Sequence, residues 1–210
     1  MSPKIVYNST AFMVVEFIVF YVFFPFIANA FLDGWYKIIP LVLIAFFFLF
    51  LLLKDPTFDR NVLTRFNRYY LWKSVPRMII ITVLLVWFTF WIFPELFFVY
   101  PIENFKSYVI TFFLYPLASV FPQEIIYRVY YFHRYHKVVP EKYLLMFSNA
   151  VVFGLTHFIY ANWVAPIATF LAGWIFIYNY YRTRSLLNVS LEHYFYGLIM
   201  FTIGFGYFFQ

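Results

Sequence analysis

Seven long apolar stretches, separated by short clusters of charged residues, proline and glycine, organise this chain of 210 residues. A helix that crosses a bilayer needs roughly 20 mostly apolar residues, and each stretch has about that length. The predicted spans cover approximately residues 11–32, 36–53, 76–98, 105–127, 141–160, 163–181 and 186–208. The pattern predicts an all-α fold, a polytopic membrane helix bundle of about seven transmembrane helices.

The distribution of basic residues predicts the orientation of these spans. Loops on the cytoplasmic side of a membrane protein are enriched in Lys and Arg. If the N-terminus lies inside, all of the 15 basic residues except Lys37 and Lys106 fall on the inner side. We therefore expect an N-in, C-out protein whose loops around residues 54–76 and 129–142 face the inner side.

Composition narrows the class of protein further. Only 11% of the residues are charged and 65% are hydrophobic, whereas soluble domains carry roughly 25% charged residues. The chain has no cysteine, which excludes disulfides, thiol catalysis and thiolate metal sites. Its aromatic residues are expected to face lipid and fill the core, and no nucleic-acid partner is expected.

The segment Ala28-Asn29-Ala30 is similar to a signal-peptidase site, but the long apolar stretch before it favours a retained first span.

Three ionisable residues, Glu124, His157 and His193, lie well inside the apolar stretches. A charged side chain at the bilayer centre costs at least about 2.5 kcal/mol, and such residues usually pair with one another and mark functional sites. Counted from the inner end of each span, at Arg134, Arg184 and Tyr143, a rise of 1.5 Å per residue places Glu124 about 15 Å, His193 about 14 Å and His157 about 21 Å deep. All three would share one layer of a hydrocarbon core roughly 30 Å thick, provided that the fourth helix continues to about His136.

Helical spacing adds two contacts to this layer. Glu124 and Arg128 are four residues apart, so they share a helix face and can form an ion pair. The alternative is a structural pair at the membrane edge, with Arg128 reaching out to the surface. Phe153 and His157 are also four residues apart, which places a ring beside the imidazole. We expect Glu124, Arg128, His157 and His193 to converge in a polar cavity open to the inner face; an interhelical hydrogen bond is the alternative role of a lone membrane histidine.

Three further titratable residues, Glu16, His133 and His136, are expected to have structural roles. Glu16 is a lone acid in the first span, and its default role is that of a paired structural acid. His133 and His136 flank Arg134 at the predicted inner surface. We expect these histidines to form a solvated stripe that faces lipid head groups.

A carboxylate and two imidazoles can activate water in a buried site. Glu124 would accept a proton from the water, and an imidazole would orient the water or stabilise charge on the attacked carbonyl. The same side chains could hold zinc, but no His-Glu-x-x-His helix supplies two ligands at once, so a site without a cofactor is favoured. Two histidines at similar depth also fit a haem-binding protein or a transporter. The small number of glycines and the lack of a repeat argue against a transporter.

Three motifs between residues 116 and 200 resemble the signature of the CPBP family, the CAAX-protease and bacteriocin-processing (Abi) membrane proteases. That signature runs Glu-Glu-x-x-x-Arg, Phe-x-x-x-His and His-x-x-x-Asn on successive helices. The corresponding residues here are Gln123, Glu124 and Arg128, then Phe153 and His157, then His193. The segment Thr183-Arg184-Ser185-Leu186 is similar to the Thr-x-Ser-Leu turn that precedes the third motif.

The resemblance implies a CPBP/Abi-like catalytic core at residues 105–210, after N-terminal transmembrane helices at residues 1–104 that carry no recognised motif. It implies an intramembrane endopeptidase, glutamic rather than metal-dependent, in the plasma membrane of a prokaryote. Its partners would be the lipid bilayer and a membrane-associated or lipidated protein or peptide substrate. The implied catalytic residues are Glu124, His157 and His193, and the implied supporting residues are Arg128, Gln123 and Phe153.

Two positions depart from the family signature. Gln123 replaces the first glutamate, which in the family looks like the base that activates water, and Gly197 replaces the asparagine that looks like an oxyanion donor. A glutamine cannot accept a proton near pH 7, so Glu124 would act as the base and Gln123 could donate a hydrogen bond to the oxyanion. The alternative is a catalytically silent scaffold or partner-binding protein that keeps the fold.

Overall fold

The computed structural model describes residues 9–32 and 34–209, without the side chains of Asn29 and Trp35, and this part of the chain contains helices and no strand. Lys4, one of the basic residues counted on the inner side, lies outside the described residues. The helices are α1 (Thr10–Phe17, the π-helical turn Ile18–Phe23 and Phe24–Phe31), α2 (Ile38–Lys54), α3 (Arg68–Ile92), α4 (Val99–Glu103), α5 (Phe105–Tyr135), α6 (Lys142–Leu155), α7 (Val164–Thr183) and α8 (Leu186–Ile203). Short 3-10 segments occupy Gly34–Lys37, Arg60–Leu63, Pro94–Leu96, Thr156–Tyr160 and Phe205–Phe209.

Four of these helical segments are long and apolar enough to cross a membrane: Thr10–Ala28, Arg68–Ile92, Phe105–Tyr135 and Lys142–Tyr160. The helix α2 is apolar but has only 17 residues. The helices α7 and α8 bury several polar side chains against the rest of the bundle. The all-α membrane bundle is confirmed, while the number of seven spans and the N-in, C-out orientation stay predictions.

The helix α3 begins eight residues earlier than its apolar stretch predicts. It starts at Arg68 because the side chain of Asn67 caps its N-terminus and accepts a hydrogen bond from the backbone N–H of Tyr70 (2.9 Å). The first turns of α3 are therefore helical. Their basic residues placed them outside the apolar stretch from which the span was predicted. The prediction of a loop up to residue 76 is wrong for this reason.

The helix α5 runs unbroken from Phe105 to Tyr135. This is the length that the sequence analysis required for Glu124 to lie as deep as His157 and His193. Two π-helical turns, Pro116–Val120 and Ile125–Tyr130, flank a short α-helical segment between them. Proline inside a helix removes a backbone hydrogen bond and crowds the preceding turn, which favours such wider turns here. Turns of this type occur frequently at functional sites. The inner loop predicted at residues 129–142 is correspondingly short, because its first half is helical.

Aromatic rings join α1, α2 and α5. Phe48 stacks on Tyr130 with ring centroids 3.8 Å apart and an interplanar angle of 9°. The hydroxyl of Tyr21 donates a hydrogen bond to the carbonyl of Ile126 (2.8 Å), within the second π-helical turn. Since lipid tails are as apolar as these side chains, close packing and internal hydrogen bonds hold such an interface together.

The lone acid of the first span is paired, as predicted. Oε1 of Glu16 accepts hydrogen bonds from Nε of Arg134 (3.0 Å) and from the hydroxyls of Tyr130 (3.0 Å) and Tyr135 (3.1 Å). Arg134 is buried in this cluster and is not solvated at the inner surface. The cluster ties α1 to the end of α5.

The prediction of a solvated histidine stripe is wrong for His133. Its Nε2 lies 2.9 Å from Oδ2 of Asp55, at the end of α2, and its ring packs against Phe58. Partial burial acts to raise the pKa of Asp55, but hydrogen bonds with His133 and Thr57 outweigh it and lower that pKa to about 2. His136 is exposed, as predicted.

A second charge pair ties α3 to α8. Oε1 of Glu192 accepts hydrogen bonds from Nη2 of Arg77 (2.7 Å) and Nε of Arg77 (3.2 Å), and Oε2 accepts one from Nδ2 of Asn179 (2.6 Å). The hydroxyl of Tyr196 donates to the same carboxylate (3.2 Å). Glu192 is fully buried and immediately precedes His193, so this pair fixes the part of α8 that carries the histidine.

The absence of cysteine makes the topology directly testable. We expect a cysteine at position 64 (Thr64→Cys) to be protected from a membrane-impermeant thiol reagent in intact cells and to react after permeabilisation. A cysteine at position 107 (Ser107→Cys), in the exposed first turn of α5 at its predicted outer end, should react without permeabilisation. Modification of position 64 from outside alone would overturn the N-in orientation.

Arg77→Ala should strongly destabilise the protein, because it leaves the buried carboxylate of Glu192 without its counter-charge. Removal of one partner from a buried ion pair typically costs about 3–5 kcal/mol, and the partial exposure of Arg77 places the expected loss at the lower end. The free energy of unfolding in detergent micelles measures it. Lys73→Ala is the matched control, since Lys73 is exposed on the same helix, and an equal loss in both variants would contradict the role of the pair.

Candidate active site

Glu124 lies on α5 between the two π-helical turns and is completely buried. Its Oε1 lies 2.7 Å from Nδ1 of His193, which reaches it from α8. Its Oε2 lies 3.3 Å from Nε of Arg128, one turn further along α5. The structure therefore brings a carboxylate, an imidazole and a guanidinium together inside the bundle.

The guanidinium of Arg128 is held by aromatic rings rather than by hydrogen bonds. It is fully buried, and its central carbon lies 4.4 Å from the ring centroid of Phe153 and 5.5 Å from that of Phe176. The contact with Glu124 is not aligned as a hydrogen bond, and the described residues offer the guanidinium no other acceptor. A desolvated cation over aromatic faces gains roughly 2 kcal/mol. The alternative in which Arg128 reaches out to the membrane surface is wrong.

His157 lies in the 3-10 turn that ends α6. Its Nδ1 is 2.6 Å from the carbonyl oxygen of Phe153. Because a carbonyl can only accept, Nδ1 must carry the proton, and Nε2 of the neutral ring then carries a lone pair. Within the described part of the chain, Nε2 has no hydrogen-bond partner. The Nδ1 atom of His193 is likewise the one engaged, by Glu124, which leaves its Nε2 for other contacts.

Phe153 contacts three side chains of the cluster: Arg128, His157 and His193. Its ring centroid lies 4.9 Å from that of His157 and 6.0 Å from that of His193, and Arg128 packs on its face. Gly173 on α7 leaves room for it, since a Cβ there would lie only 3.1 Å from Cδ1 of Phe153. The sequence pairs Phe153 with His157 by helical spacing, but its contacts with His193 and Arg128 arise from the fold.

Gln123 does not join this cluster. Its side chain is partly exposed, and Nε2 donates a hydrogen bond to Oγ of Ser119 (2.8 Å). One residue of helix turns a side chain by about 100°, so Gln123 and Glu124 cannot both point at His193. Gly197, the other departure from the signature, lies one turn after His193 and packs against Tyr115.

Sequence patterns do not predict the anchoring group of Glu192, Arg77 and Asn179. Arg77 and Glu192 each lie inside an apolar stretch, but they are 115 positions apart, and no helical spacing relates residues at that separation. An acid beside a candidate catalytic histidine was the available indication. Its pairing with Arg77 required the tertiary structure.

The described residues around the cluster show no ready set of metal ligands. No group of three His, Asp or Glu side chains within residues 9–32 and 34–209 is arranged to hold a metal ion. A cavity of about 160 Å³ lies between α5 and α8 and contains none of Glu124, His157 and His193 in its lining. Its lining residues are Phe66, Pro116, Phe121, Leu187, Ser190, Leu191 and Tyr194. The polar cavity open to the inner face stays a prediction.

A comparison with protein families matches residues 105–199 to the family described as "Rce1-like: Type II CAAX prenyl endopeptidase Rce1-like". The curated proteins and the solved structures gave no match to the chain. The matched segment begins with α5 and ends inside α8, and it confirms the resemblance to the CPBP family. Together with the four apolar helices, the match indicates an integral membrane protein whose residues 105–199 are similar to a peptidase family. Residues 105–199, somewhat less than half of the chain, are therefore similar to the Rce1-like type II CAAX prenyl endopeptidases of the CPBP family.

Proposed function

We propose that this protein is an intramembrane endopeptidase that hydrolyses a peptide bond of a membrane-associated or lipidated protein. The observation that carries the proposal is the 2.7 Å contact between Nδ1 of His193 and Oε1 of Glu124, buried beside Arg128. A carboxylate that holds an imidazole in this way fixes its tautomer and stabilises its protonated form. The second imidazole, His157, lies across the ring of Phe153.

The Glu124–His193 pair takes the proton of the attacking water in the proposed mechanism. Since Nδ1 of His193 is bound to Glu124, its Nε2 is the atom that accepts this proton, and the carboxylate stabilises the imidazolium. The water oxygen forms a bond to the carbonyl carbon, and the π electron pair of the carbonyl moves onto its oxygen. When the tetrahedral intermediate collapses, the C–N bond breaks and the imidazolium returns the proton to the leaving amine.

His157 orients the water in this scheme. Its Nδ1–H is committed to the carbonyl of Phe153, so a neutral His157 offers Nε2 as an acceptor for the second hydrogen of the water. Arg128 balances the charge of Glu124 without competing for the water, because two aromatic rings enclose it. Low polarity around the pair strengthens these interactions compared with those in water.

A metal-independent reaction fits these contacts better than zinc catalysis. A catalytic zinc is usually held by three protein ligands, and each ligand is oriented by a further contact with the protein. Here Glu124 binds His193 directly, and Glu124, His157 and His193 are not arranged as a set of three metal ligands. We propose a glutamic-type peptidase without a cofactor.

The apolar cavity between α5 and α8 supports a substrate that is lipidated or embedded in the membrane. Its lining combines Phe121 and Pro116 of α5 with Leu187 and Leu191 of α8, and Leu191 lies two residues before His193. An apolar chain at this position would be close to the Glu124–His193 pair along α8. We propose the plasma membrane of a prokaryote as the location of the protein.

The second candidate, a catalytically silent scaffold of the same fold, rests on Gln123. This residue replaces the glutamate of the family signature and makes its hydrogen bond to Ser119, away from His193. A protein that had lost its base would keep Arg128 and Phe153 for packing. Activity measurements decide between the two candidates.

Glu124→Gln should reduce kcat by roughly 10²–10⁴-fold, the usual contribution of a general base or its partner. His193→Ala and His157→Ala should cause losses of similar size, because each removes an Nε2 atom that would hold the water. Purified protein in micelles or liposomes, presented with a panel of prenylated and membrane-anchored peptides, provides the measurement.

Lys73→Ala serves as the matched control for these variants and should retain wild-type kcat. Treatment with a strong chelator should leave the wild-type rate unchanged. Loss of activity on chelation with recovery on zinc addition would contradict the metal-independent mechanism.

Gln123→Glu should lower the activity of the wild-type protein. It adds a carboxylate one residue from Glu124 on the same helix, and a nearby like charge disfavours the ionised form of Glu124. The ratio of kcat/KM for the variant and the wild type on the same peptide measures the effect. A wild type that cleaves nothing, together with a Gln123→Glu variant that cleaves the panel, would sink the enzyme proposal and favour the silent scaffold.

A further inference from the structure

Tyr115 lies beside the Glu124–His193 pair but belongs to none of the recognised motifs. It ends the first α-helical part of α5, directly before the π-helical turn Pro116–Val120. Its ring centroid lies 6.1 Å from that of His193 and 5.2 Å from that of Phe201, so it packs lengthwise along α8. This contact places the phenol on the helix face that carries the histidine.

The hydroxyl of Tyr115 can lie against α8 because residue 197 is a glycine and has no side chain. A Cβ on residue 197 would lie only 2.2 Å from Oη of Tyr115 and 2.6 Å from Cζ. Any other residue would therefore displace the phenol from α8. Gly197 follows His193 by four residues, so the hydroxyl lies about one helical turn, or roughly 5 Å along the axis, from the histidine.

The hydroxyl of Tyr115 makes no hydrogen bond within residues 9–32 and 34–209. Other tyrosines of the same two helices do: Tyr108 bonds Thr202 (2.9 Å), and Tyr196 donates to Glu192 (3.2 Å). The side chain of Tyr115 is partly buried. A hydrogen-bond donor that is left open beside the candidate catalytic pair is suited to a ligand.

Apart from Tyr115, the side chains described around the Glu124–His193 pair leave no hydrogen-bond donor for the carbonyl oxygen of a substrate. The two histidines offer acceptor atoms at Nε2, and Arg128 is enclosed by Phe153 and Phe176. Gln123 directs its amide to Ser119. A peptide carbonyl under attack develops negative charge on oxygen, and an enzyme stabilises that charge with preorganised donors.

We propose that Tyr115 is a further catalytic residue, whose hydroxyl donates a hydrogen bond to the oxygen of the scissile carbonyl as charge develops on it. The proton stays on the phenol throughout, so the balance of the hydrolysis is unchanged. The inference rests on the proposed peptidase function of the Glu124–His193 pair. It also explains the glycine at position 197, because the space that a side chain there would fill holds the hydroxyl instead.

Tyr115→Phe tests the inference, since it removes the hydroxyl and keeps the ring contacts with His193 and Phe201. We expect kcat to fall by roughly 10²–10³-fold, the usual loss for one oxyanion donor, with KM unchanged. Tyr108→Phe is the matched control, because it removes a hydroxyl from the same helix that bonds Thr202, and it should keep wild-type kcat.

Gly197→Ala provides a second variant that keeps the tyrosine but displaces its hydroxyl, and it should lower kcat in the same way. Tyr115→Phe with kcat equal to that of Tyr108→Phe, or with a raised KM alone, would overturn the catalytic role of Tyr115. In that case Glu124→Gln would still be inactive and the proposed peptidase would stand. A wild type that cleaves no peptide of the panel would overturn both proposals together.

Discussion

The buried contact between Glu124, His193 and Arg128 is the constraint around which the rest of this bundle is arranged. Charges inside a membrane protein are costly, and a buried ion pair seldom repays its own desolvation. Here the carboxylate divides its two oxygens between an imidazole on another helix and a guanidinium on its own. The neighbouring helices are packed to keep water and lipid away from this group, which gives a small chain a site with strong internal electrostatics.

Aromatic side chains do most of that packing. Phe153 lies against Arg128 and both candidate histidines, and the ring of Phe176 stacks on His193 with centroids 4.5 Å apart. Rings enclose charge without offering hydrogen bonds, so they leave the Nε2 atoms of the histidines available for water. The high aromatic content of the chain, which by composition indicates only packing and lipid contact, therefore also shapes the chemistry of the site.

The N-terminal helices, which lie outside the family match, hold the matched segment in place through two buried acids. Glu16 of α1 binds Arg134 near the end of α5, and Arg77 of α3 binds Glu192 beside His193. Each pair joins a helix without recognised motifs to a helix that carries a candidate catalytic residue. These anchors fix the end of α5 against α1 and the part of α8 beside His193 against α3.

The sequence by itself determined the all-α membrane fold, the pairing of Glu124 with Arg128 and the neighbourhood of Phe153 and His157, because these follow from hydropathy and from helical periodicity. It also indicated that Glu124 and His193 lie at similar depth, since a helix rises by a constant amount per residue. Only the tertiary structure decided that the two side chains touch, that Arg77 neutralises Glu192 and that Tyr115 fills the space above Gly197. These contacts join residues about 70 to 115 positions apart, and they depend on how the helices rotate and cross, which no local pattern encodes. The π-helical turns of α5 set that rotation for Glu124, and their position arises from packing and proline together rather than from apolar periodicity.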